Sequence, residues 1–320
     1  MTYFDVFNGD ADGICALHQW RLAQPHESTL ITGVKRDISL LKRVQASAGD
    51  QVLVLDISLD KNRDALLRVL SAGAAVDYFD HHFAGEIPEH DCMTSHINTA
   101  ADVCTSLLVN SHLNGKYLLW AVAAAFGDNL FDAAIKAAEP LALDAKQLKQ
   151  LEKLGTLINY NGYGVTENDL YFHPADLYRD IQPFENPFDF ISQSKSYAVL
   201  AEGYASDMAK AAQISIESND KNTALIMLPD EAWTRRVSGV YGNALAREFP
   251  SRAHALLTVM GDGSYRISVR APLINKTGAD ELCMQFPTGG GRKAAAGVNA
   301  LPADMLDAFK RAFQRQYQVI

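Results

Sequence analysis

The chain has 320 residues, of which 48% are hydrophobic and 21% charged, and its formal net charge is −9. This length and composition predict one large or two medium-sized globular domains, and the negative charge argues against a protein that coats long nucleic acid. The longest apolar run, Tyr117 to Phe126, is too short to span a bilayer, and the N-terminus has no signal-peptide pattern. We therefore expect no membrane partner, and four cysteines without a CxxC pair indicate reduced thiols in the cytoplasm.

Short apolar runs alternate with helical patterns over the first 79 residues. Strands are predicted over Tyr3–Phe7, Thr29–Val34, Gln51–Ile57 and Ala74–Phe79, and helices over Ile14–Ala23, Ile38–Ala46 and Asn62–Ser71. Strands that alternate with helices of this length are typical of βαβ units. The sequence therefore predicts an α/β fold with a parallel sheet.

The pattern then becomes helical, and strand signals return near the end of the chain. Helices are predicted over Ala101–Asn110, Lys116–Phe126, Phe131–Ala138, Ala145–Leu157, Ser196–Ser218, Tyr241–Arg247 and Pro302–Tyr317, and strands over Thr223–Leu228, His254–Val259 and Tyr265–Val269. We expect a first domain over 1–190, a linker helix over 191–218 and a smaller α/β domain over 219–320. Residues 1–218 carry a net charge of −13 and residues 219–320 carry +4. This asymmetry fits a cation-binding and an anion-binding domain, although a plain fluctuation of charge would look the same.

Acidic residues and histidines follow three of the predicted strands. Asp10 and Asp12 follow the first, Asp56 the third, and Asp80-His81-His82 the fourth. Ligands of open α/β sheets bind at the carboxyl ends of the strands, and a mixed carboxylate and imidazole set suits Mn²⁺ or Fe²⁺. Any one of these aspartates could instead be a turn former or a helix cap. Asp128 follows an apolar helix and is either a further carboxylate ligand or part of a helix-ending turn.

These motifs, in this order, resemble those of the DHH phosphoesterases. The resemblance runs from Gly9-Asp10-Ala11-Asp12-Gly13 through Asp56, Asp80-His81-His82 and Gly127-Asp128, and the segment Gly289 to Gly297 resembles the DHH-associated C-terminal domain. The resemblance implies that Asp10, Asp12, Asp56, His81 and Asp128 hold two Mn²⁺ ions, with Asp56 as the bridge. It also implies that His82 contacts the scissile phosphate and that Asp80 orients the two histidines.

The chain departs from the family pattern at two places. Many members have a histidine ligand at the position of Val6, and RecJ-like members have an aspartate at the position of Asn8. One metal is therefore expected to have fewer ligands or to bind more weakly. The second departure is Arg292, which stands where the family usually has the histidine of Gly-Gly-Gly-His. An arginine there keeps a hydrogen-bonding head but adds a permanent charge.

The glycine-rich segment near the C-terminus is predicted to bind part of the substrate. Gly289, Gly290 and Gly291 leave backbone N–H groups open to an anion, and Arg270, Arg292 and Lys293 would add positive charge. The alternative is a glycine hairpin with solvated basic residues. A fixed distance between this segment and the metals would limit substrates to one or two linkages.

Two further groups of residues admit more than one interpretation. His90, Cys92, His96 and Cys104 match no standard zinc spacing. Trp233 and Tyr241 would either stack on a base or belong to the core.

Three functions are compatible with the sequence. The favoured one is a Mn²⁺-dependent phosphodiesterase that cleaves short linear oligoribonucleotides, above all dinucleotides such as pGpG from cyclic-di-GMP turnover, as nanoRNases do. The second is a nucleotide phosphatase of the 3′-phosphoadenosine 5′-phosphate type. The third is a catalytically weakened nucleotide-binding regulator, suggested by the missing ligand at Val6. A homodimer is compatible with the sequence, which does not determine the oligomeric state.

Overall fold

The computed structural model describes residues 1–318, apart from the side chains of residues 218 and 219. The chain divides into two compact units, Met1–Glu202 and a second that begins at Gly203. Each unit contains one sheet. Within the described residues, no helix is long and apolar enough to cross a membrane.

The first unit contains a five-stranded parallel sheet. Its strands are β1 (Tyr3–Phe7), β2 (Thr29–Ile31), β3 (Gln51–Leu55), β4 (Ala75–Asp80) and β5 (Met93–Ile97). The order is β2-β1-β3-β4-β5, and every neighbouring pair is parallel. This arrangement confirms the predicted α/β class. It also places the carboxyl ends of β2, β1, β3 and β4 side by side along one edge.

Nine helices accompany this sheet in the described part of the chain. They are α1 (Ala11–Ala23), α2 (Leu59–Ser71), α3 (Thr105–His112), α4 (Leu118–Gly127), α5 (Phe131–Ala138), α6 (Ala145–Gly162), α7 (Pro174–Ile181), α8 (Pro187–Gln193) and α9 (Lys195–Ala212). Leu66 and Leu70 of α2 share a buried cluster with Val52, Val54 and Val76 of the sheet. The β-branched residues of the strands therefore pack against the leucine face of α2, as the apolar pattern predicts.

The helix expected over Ile38–Ala46 is wrong, because only a 3₁₀ turn forms, over Leu40–Arg43. Two side chains of α2 hold the backbone of this segment instead. The amide of Asn62 donates to the carbonyl of Ile38, at 2.6 Å, and Arg68 donates to the carbonyl of Val44, at 3.1 Å. These bonds compete with the intrahelical bonds that a longer helix needs.

Strand β5 was not predicted because its composition is polar. Its residues, Met93 to Ile97, are intermediate or exposed. As the last strand it pairs only with β4 in the sheet order. An edge strand of this kind gives little apolar signal in the sequence.

The second unit contains a mixed six-stranded sheet. The strands are β6 (Ile216–Asn219), β7 (Thr223–Leu228), β8 (Ala253–Val259), β9 (Tyr265–Arg270), β10 (Gly289–Arg292) and β11 (Ala295–Leu301), and the helices are α10 (Ala232–Glu248), α11 (Ala279–Cys283) and α12 (Leu306–Tyr317). The order is β10-β11-β9-β8-β7-β6, and only β7 and β8 are parallel. Leu257, Val269, Phe309 and Phe313 belong to one buried core, which joins α12 to one face of the sheet.

The helix expected over Ser196–Ser218 ends earlier than its sequence pattern does. Helix α9 stops at Ala212, and β6 begins at Ile216. The division between the units falls within α9, after Glu202. The domain limits drawn from the sequence, 190 and 218, stay a prediction.

Candidate metal centre

Carboxylate and histidine side chains meet at the carboxyl edge of the first sheet. Three of the strands, β1, β3 and β4, supply all but one of them, and the end of α4 supplies the last. The structure brings together all the predicted members of this group, namely Asp10, Asp12, Asp56, Asp80, His81, His82 and Asp128. The cluster is thus assembled from several elements that lie far apart in the sequence.

Two helix N-termini orient the carboxylates of Asp10 and Asp12. Asp10 caps α1, because its Oδ1 accepts hydrogen bonds from the amides of Asp12 and Gly13 at 3.0 and 3.1 Å. The oxygens of Asp12 accept from the amides of Thr105 and Ser106, each at 2.7 Å, at the start of α3. The positive ends of both helix dipoles therefore face the cluster. This contact also explains why α3 begins at Thr105 and not near Ala101.

Asp56 lies in a strained and buried position. Its backbone has φ 60°, a left-handed conformation that costs a non-glycine residue about 1 kcal/mol or more. Its amide donates to the carbonyl of Phe79, at 3.0 Å, and its Oδ1 accepts from the hydroxyl of Thr105, at 3.2 Å. Only 1% of the residue is exposed. Strain and burial of an acidic residue in one place indicate a functional position.

His81 is the centre of the cluster. Its Nδ1 lies 2.9 Å from the carbonyl of Val103, which can only accept, so Nδ1 carries the proton. Its other ring nitrogen, Nε2, faces the carboxylates, at 3.4 Å from Asp56 Oδ1, 3.6 Å from Asp128 Oδ2 and 3.9 Å from Asp12 Oδ2. A histidine held by a backbone carbonyl in this way is typical of a metal ligand.

His82 and Asp80 form a pair next to this centre. Nδ1 of His82 lies 2.8 Å from Oδ1 of Asp80, and the second oxygen of Asp80 is buried and accepts no hydrogen bond. The side chain of His82 is 40% exposed, whereas that of His81 is 8% exposed. Asp80 therefore orients a histidine that remains accessible from solvent.

The electrostatics of the cluster are unfavourable without added positive charge. Burial raises the pKa of Asp56 well above its usual value, and the neighbouring carboxylates of Asp12, Asp10, Asp128 and Asp80 raise it further. Burial likewise raises the pKa of Asp12, against the attraction of His81. The protein therefore holds several carboxylates where their charge is poorly solvated.

Lys35 is a member of the site that the sequence did not reveal. It follows β2, and its Nζ donates to Oδ2 of Asp10, to Oδ1 of Asp128 at 3.3 Å and to Oδ1 of Asn159 at 3.1 Å. Burial opposes the charge of Lys35, yet the carboxylates of Asp10 and Asp128 raise its pKa well above the usual value. The available signal was a basic pair, Lys35-Arg36, just after a strand that ends at the same sheet edge.

The donor atoms fit a divalent cation. Two groups of potential ligands have donor atoms within 4.8 Å of one another, Asp12 with His81 and Asp128, and Asp56 with His81 and His82. Hard carboxylate oxygens with one or two imidazoles suit Mn²⁺. Val6, at the position where the resemblance implies a further ligand, is fully buried and has an apolar side chain.

The basic residues predicted to bind substrate lie on the second sheet. Arg292 of β10 pairs with Ala295 of β11, which in turn pairs with Arg270 of β9, so the two arginines share one face with an alanine between them. Arg292 and Lys293 are exposed, and no atom lies near the space above Gly290. Gly291 has φ 140°, in the region that favours glycine. The segment is a hairpin whose two strands consist mainly of glycine and alanine. Its role in binding stays a prediction.

Three of the remaining candidates, Cys104, His96 and Trp233, take part in packing. Cys104 is buried and precedes α3, and His96 stacks on Phe79 at 4.2 Å between ring centroids. Within the described residues, no group of potential metal ligands includes His90, Cys92, His96 or Cys104. Trp233 is 8% exposed and donates to Glu231, at 2.6 Å, which favours a place in the core.

Comparison with known structures identifies the fold. The chain is similar to a manganese-bound RecJ exonuclease, with a TM-score of 0.65 and 15% identity over 100% of this chain and 90% of that one. It is also similar to RecJ in complex with Mn²⁺ from Thermus thermophilus, with a TM-score of 0.64 and 16% identity over 98% of this chain and 51% of that one. A third similar structure is PggH from Vibrio cholerae, a pGpG-specific phosphodiesterase, with a TM-score of 0.58 and 15% identity over 99% and 98%.

No protein-family model and no curated protein sequence matches the chain. The chain spans about half the length of the Thermus exonuclease, since 51% of that protein is covered. The structural likeness agrees with the predicted resemblance at the level of the fold, which the chain shares with the RecJ exonuclease and with PggH.

The buried charge of Asp56 predicts that Asp56→Asn stabilises the metal-free protein. Because its folded-state pKa is raised, ionisation of Asp56 costs stability as pH rises from the ordinary value of 3.8 through the folded pKa. Asparagine tolerates the positive φ and carries no charge. We expect a gain of about 1–2 kcal/mol at pH 8 and a smaller gain at pH 5, measured by denaturant unfolding in EDTA.

Asp64→Asn is the matched control, because Asp64 is exposed on α2. It should change the stability little at either pH. A loss of stability in Asp56→Asn at pH 8 would show that the carboxylate of Asp56 is not under electrostatic strain.

Proposed function

We propose that this chain is a divalent-metal-dependent phosphodiesterase that hydrolyses short linear oligoribonucleotides, above all dinucleotides such as pGpG, to mononucleotides. The observation that carries the proposal is the convergence of Asp12, Asp56 and Asp128 on Nε2 of His81. This convergence occurs in a fold shared with a manganese-bound exonuclease and a pGpG-specific phosphodiesterase.

The proposed cation is Mn²⁺. The resemblance assigns Asp10, Asp12, Asp56, His81 and Asp128 as its ligands and implies two ions. A bound divalent cation lowers the pKa of water and polarises a phosphoryl oxygen. The chain's own contribution is a preset ligand geometry: the N-terminus of α3 fixes Asp12, and the carbonyl of Val103 fixes the tautomer of His81.

His82 is the proposed contact to the scissile phosphate. Its Nδ1 is held by Asp80, so the ring is oriented before substrate binds. An imidazole held in this way can present its other ring nitrogen, Nε2, to a phosphate oxygen. The exposure of His82 leaves it accessible to substrate, while His81 is more deeply buried.

The second unit is proposed to recognise the rest of a short substrate. Arg270 is held by Asn243 Oδ1, at 2.7 Å, and by Ser268 Oγ, at 2.9 Å, and therefore has a fixed position on the sheet. Arg292 is exposed on the same face, with Ala295 between the two. Two arginines beside open backbone suit a phosphate or the edge of a base. The net charge of −9 favours a short substrate over a long strand.

A cytoplasmic location is part of the proposal. The four cysteines, Cys15, Cys92, Cys104 and Cys283, are free thiols in the structure. Nucleotide turnover in a reducing compartment agrees with this state.

His81→Ala should reduce hydrolysis of pGpG in Mn²⁺ to background while the protein stays folded. The substitution removes the imidazole shared by both groups of potential ligands, and His81 is not a member of the hydrophobic core clusters described for the chain. The measurement is chromatographic separation of the products, with thermal melting as the test of folding. His90→Ala is the control, since His90 is exposed and outside the cluster.

Two further measurements test the proposed function: removal of the metal ion, and identification of the products. EDTA should abolish activity and Mn²⁺ should restore it. Release of two mononucleotides supports the phosphodiesterase, whereas inorganic phosphate from a terminal phosphate would indicate a nucleotide phosphatase. Full activity of metal-free protein, or of His81→Ala, would exclude the proposed centre.

Arg292→Ala should impair cleavage of pGpG without loss of bound Mn²⁺. A charge-assisted hydrogen bond contributes about 1.5–3 kcal/mol, which corresponds to a loss in kcat/KM of about 10- to 150-fold. Hydrolysis of bis-p-nitrophenyl phosphate, a small diester without a nucleoside, should be nearly unchanged. Equal losses on both substrates would mean that Arg292 acts at the scissile phosphate or in folding.

A further inference from the structure

Lys35 occupies one side of the cluster as a fixed cation. Its ammonium group contacts the carboxylates of Asp10 and Asp128 and the amide oxygen of Asn159. Three acceptors around one ammonium group satisfy all of its donors. The aromatic ring of Tyr163 adds a cation–π contact, with its centroid 5.7 Å from Nζ. The ammonium group is therefore surrounded as a bound metal ion would be, by oxygens from several elements.

Backbone contacts from neighbouring segments hold Lys35 in place. A side chain on Gly9 would meet the carbonyl oxygen of Gly33 at 2.0 Å, so a glycine is needed where the loop after β1 approaches the segment after β2. The backbone amide of Lys35 donates to the carbonyl of Gly162 at the end of α6, at 2.9 Å. The carbonyl of Lys35 accepts from the side-chain amide of Asn8, at 3.2 Å. The loop after β1 and the end of α6 thus fix the backbone of this one lysine.

Asp10 has little capacity left for a metal ion. Its Oδ1 accepts two backbone hydrogen bonds and its Oδ2 accepts from Lys35. Neither group of convergent ligands within the described residues contains Asp10. Val6, at the position where the resemblance implies a further ligand, is apolar and has 0% exposure.

Resting on the function proposed above, we propose that the ammonium group of Lys35 replaces one of the two cations that the resemblance implies. The centre then binds a single divalent ion, through Asp12, Asp56, His81 and Asp128. Asp10 serves as the counter-ion of Lys35 and not as a metal ligand. A second divalent ion on Asp10 would lie against the ammonium group, where like charges repel at close range.

In this proposal two positive charges, the metal ion and Lys35, neutralise different carboxylates of the cluster. The metal ion is exchangeable and neutralises the carboxylates around His81. Lys35 is permanent and neutralises Asp10 and part of Asp128. Because Asp128 faces both Lys35 and His81, its two oxygens join the two halves of the centre.

The number of bound ions tests this proposal without reference to activity. The full-length chain is dialysed to equilibrium with Mn²⁺, and manganese per chain is measured by elemental analysis and electron paramagnetic resonance. We expect about one Mn²⁺ per chain in the wild type, with the hyperfine pattern of an isolated ion. Lys35→Ala frees Asp10 and should bind about two, with the broadened signal of a coupled pair. Lys61→Ala is the control, because the side chain of Lys61 is 62% exposed and pairs with the neighbouring Asp60, which is not a member of the cluster.

Each outcome decides one part of the proposal. Two ions in the wild type, or one ion in folded Lys35→Ala, would overturn the role of Lys35 while leaving the phosphodiesterase intact. No bound Mn²⁺ in the wild type would instead overturn the metal-dependent function itself. If Lys35→Ala fails to fold, the wild-type stoichiometry and signal still decide the question, because one isolated ion is required and a coupled pair contradicts it.

Discussion

Repulsion between buried carboxylates is the constraint on which this structure depends. The first sheet gathers Asp10, Asp12, Asp56, Asp80 and Asp128 at one edge, where burial weakens the solvation of their charge. Such a group is stable only if positive charge is placed among it. The fold supplies part of that charge permanently, and in the proposed function an exchangeable ion supplies the remainder.

The permanent part comes from backbone and side chain together. The N-termini of α1 and α3 point at Asp10 and Asp12, and Lys35 contacts Asp10. What remains uncompensated is the group around His81, where Asp56 has a raised pKa and a strained backbone. The carboxylate with the raised pKa and the strained backbone thus belongs to a group of potential metal ligands.

Much of this site could be predicted from the sequence, because parallel strands end at a common edge. The positions of their strands were enough to predict that Asp56 and His81 lie close together. Lys35 could not be placed in the same way, because its contacts depend on the close approach of separate backbone segments, which Gly9 permits. The misplaced helix after β2 has a similar cause: Asn62, distant in sequence, holds its backbone.

The most direct test of a single-ion centre is anomalous diffraction, at the manganese absorption edge, from crystals grown with Mn²⁺. We expect one peak, bonded to Nε2 of His81 and to oxygens of Asp12, Asp56 and Asp128, with Lys35 still in contact with Asp10. A second peak bonded to Asp10 would contradict the single-ion centre, and no peak at this edge of the sheet, or a peak coordinated by other residues alone, would contradict the metal assignment.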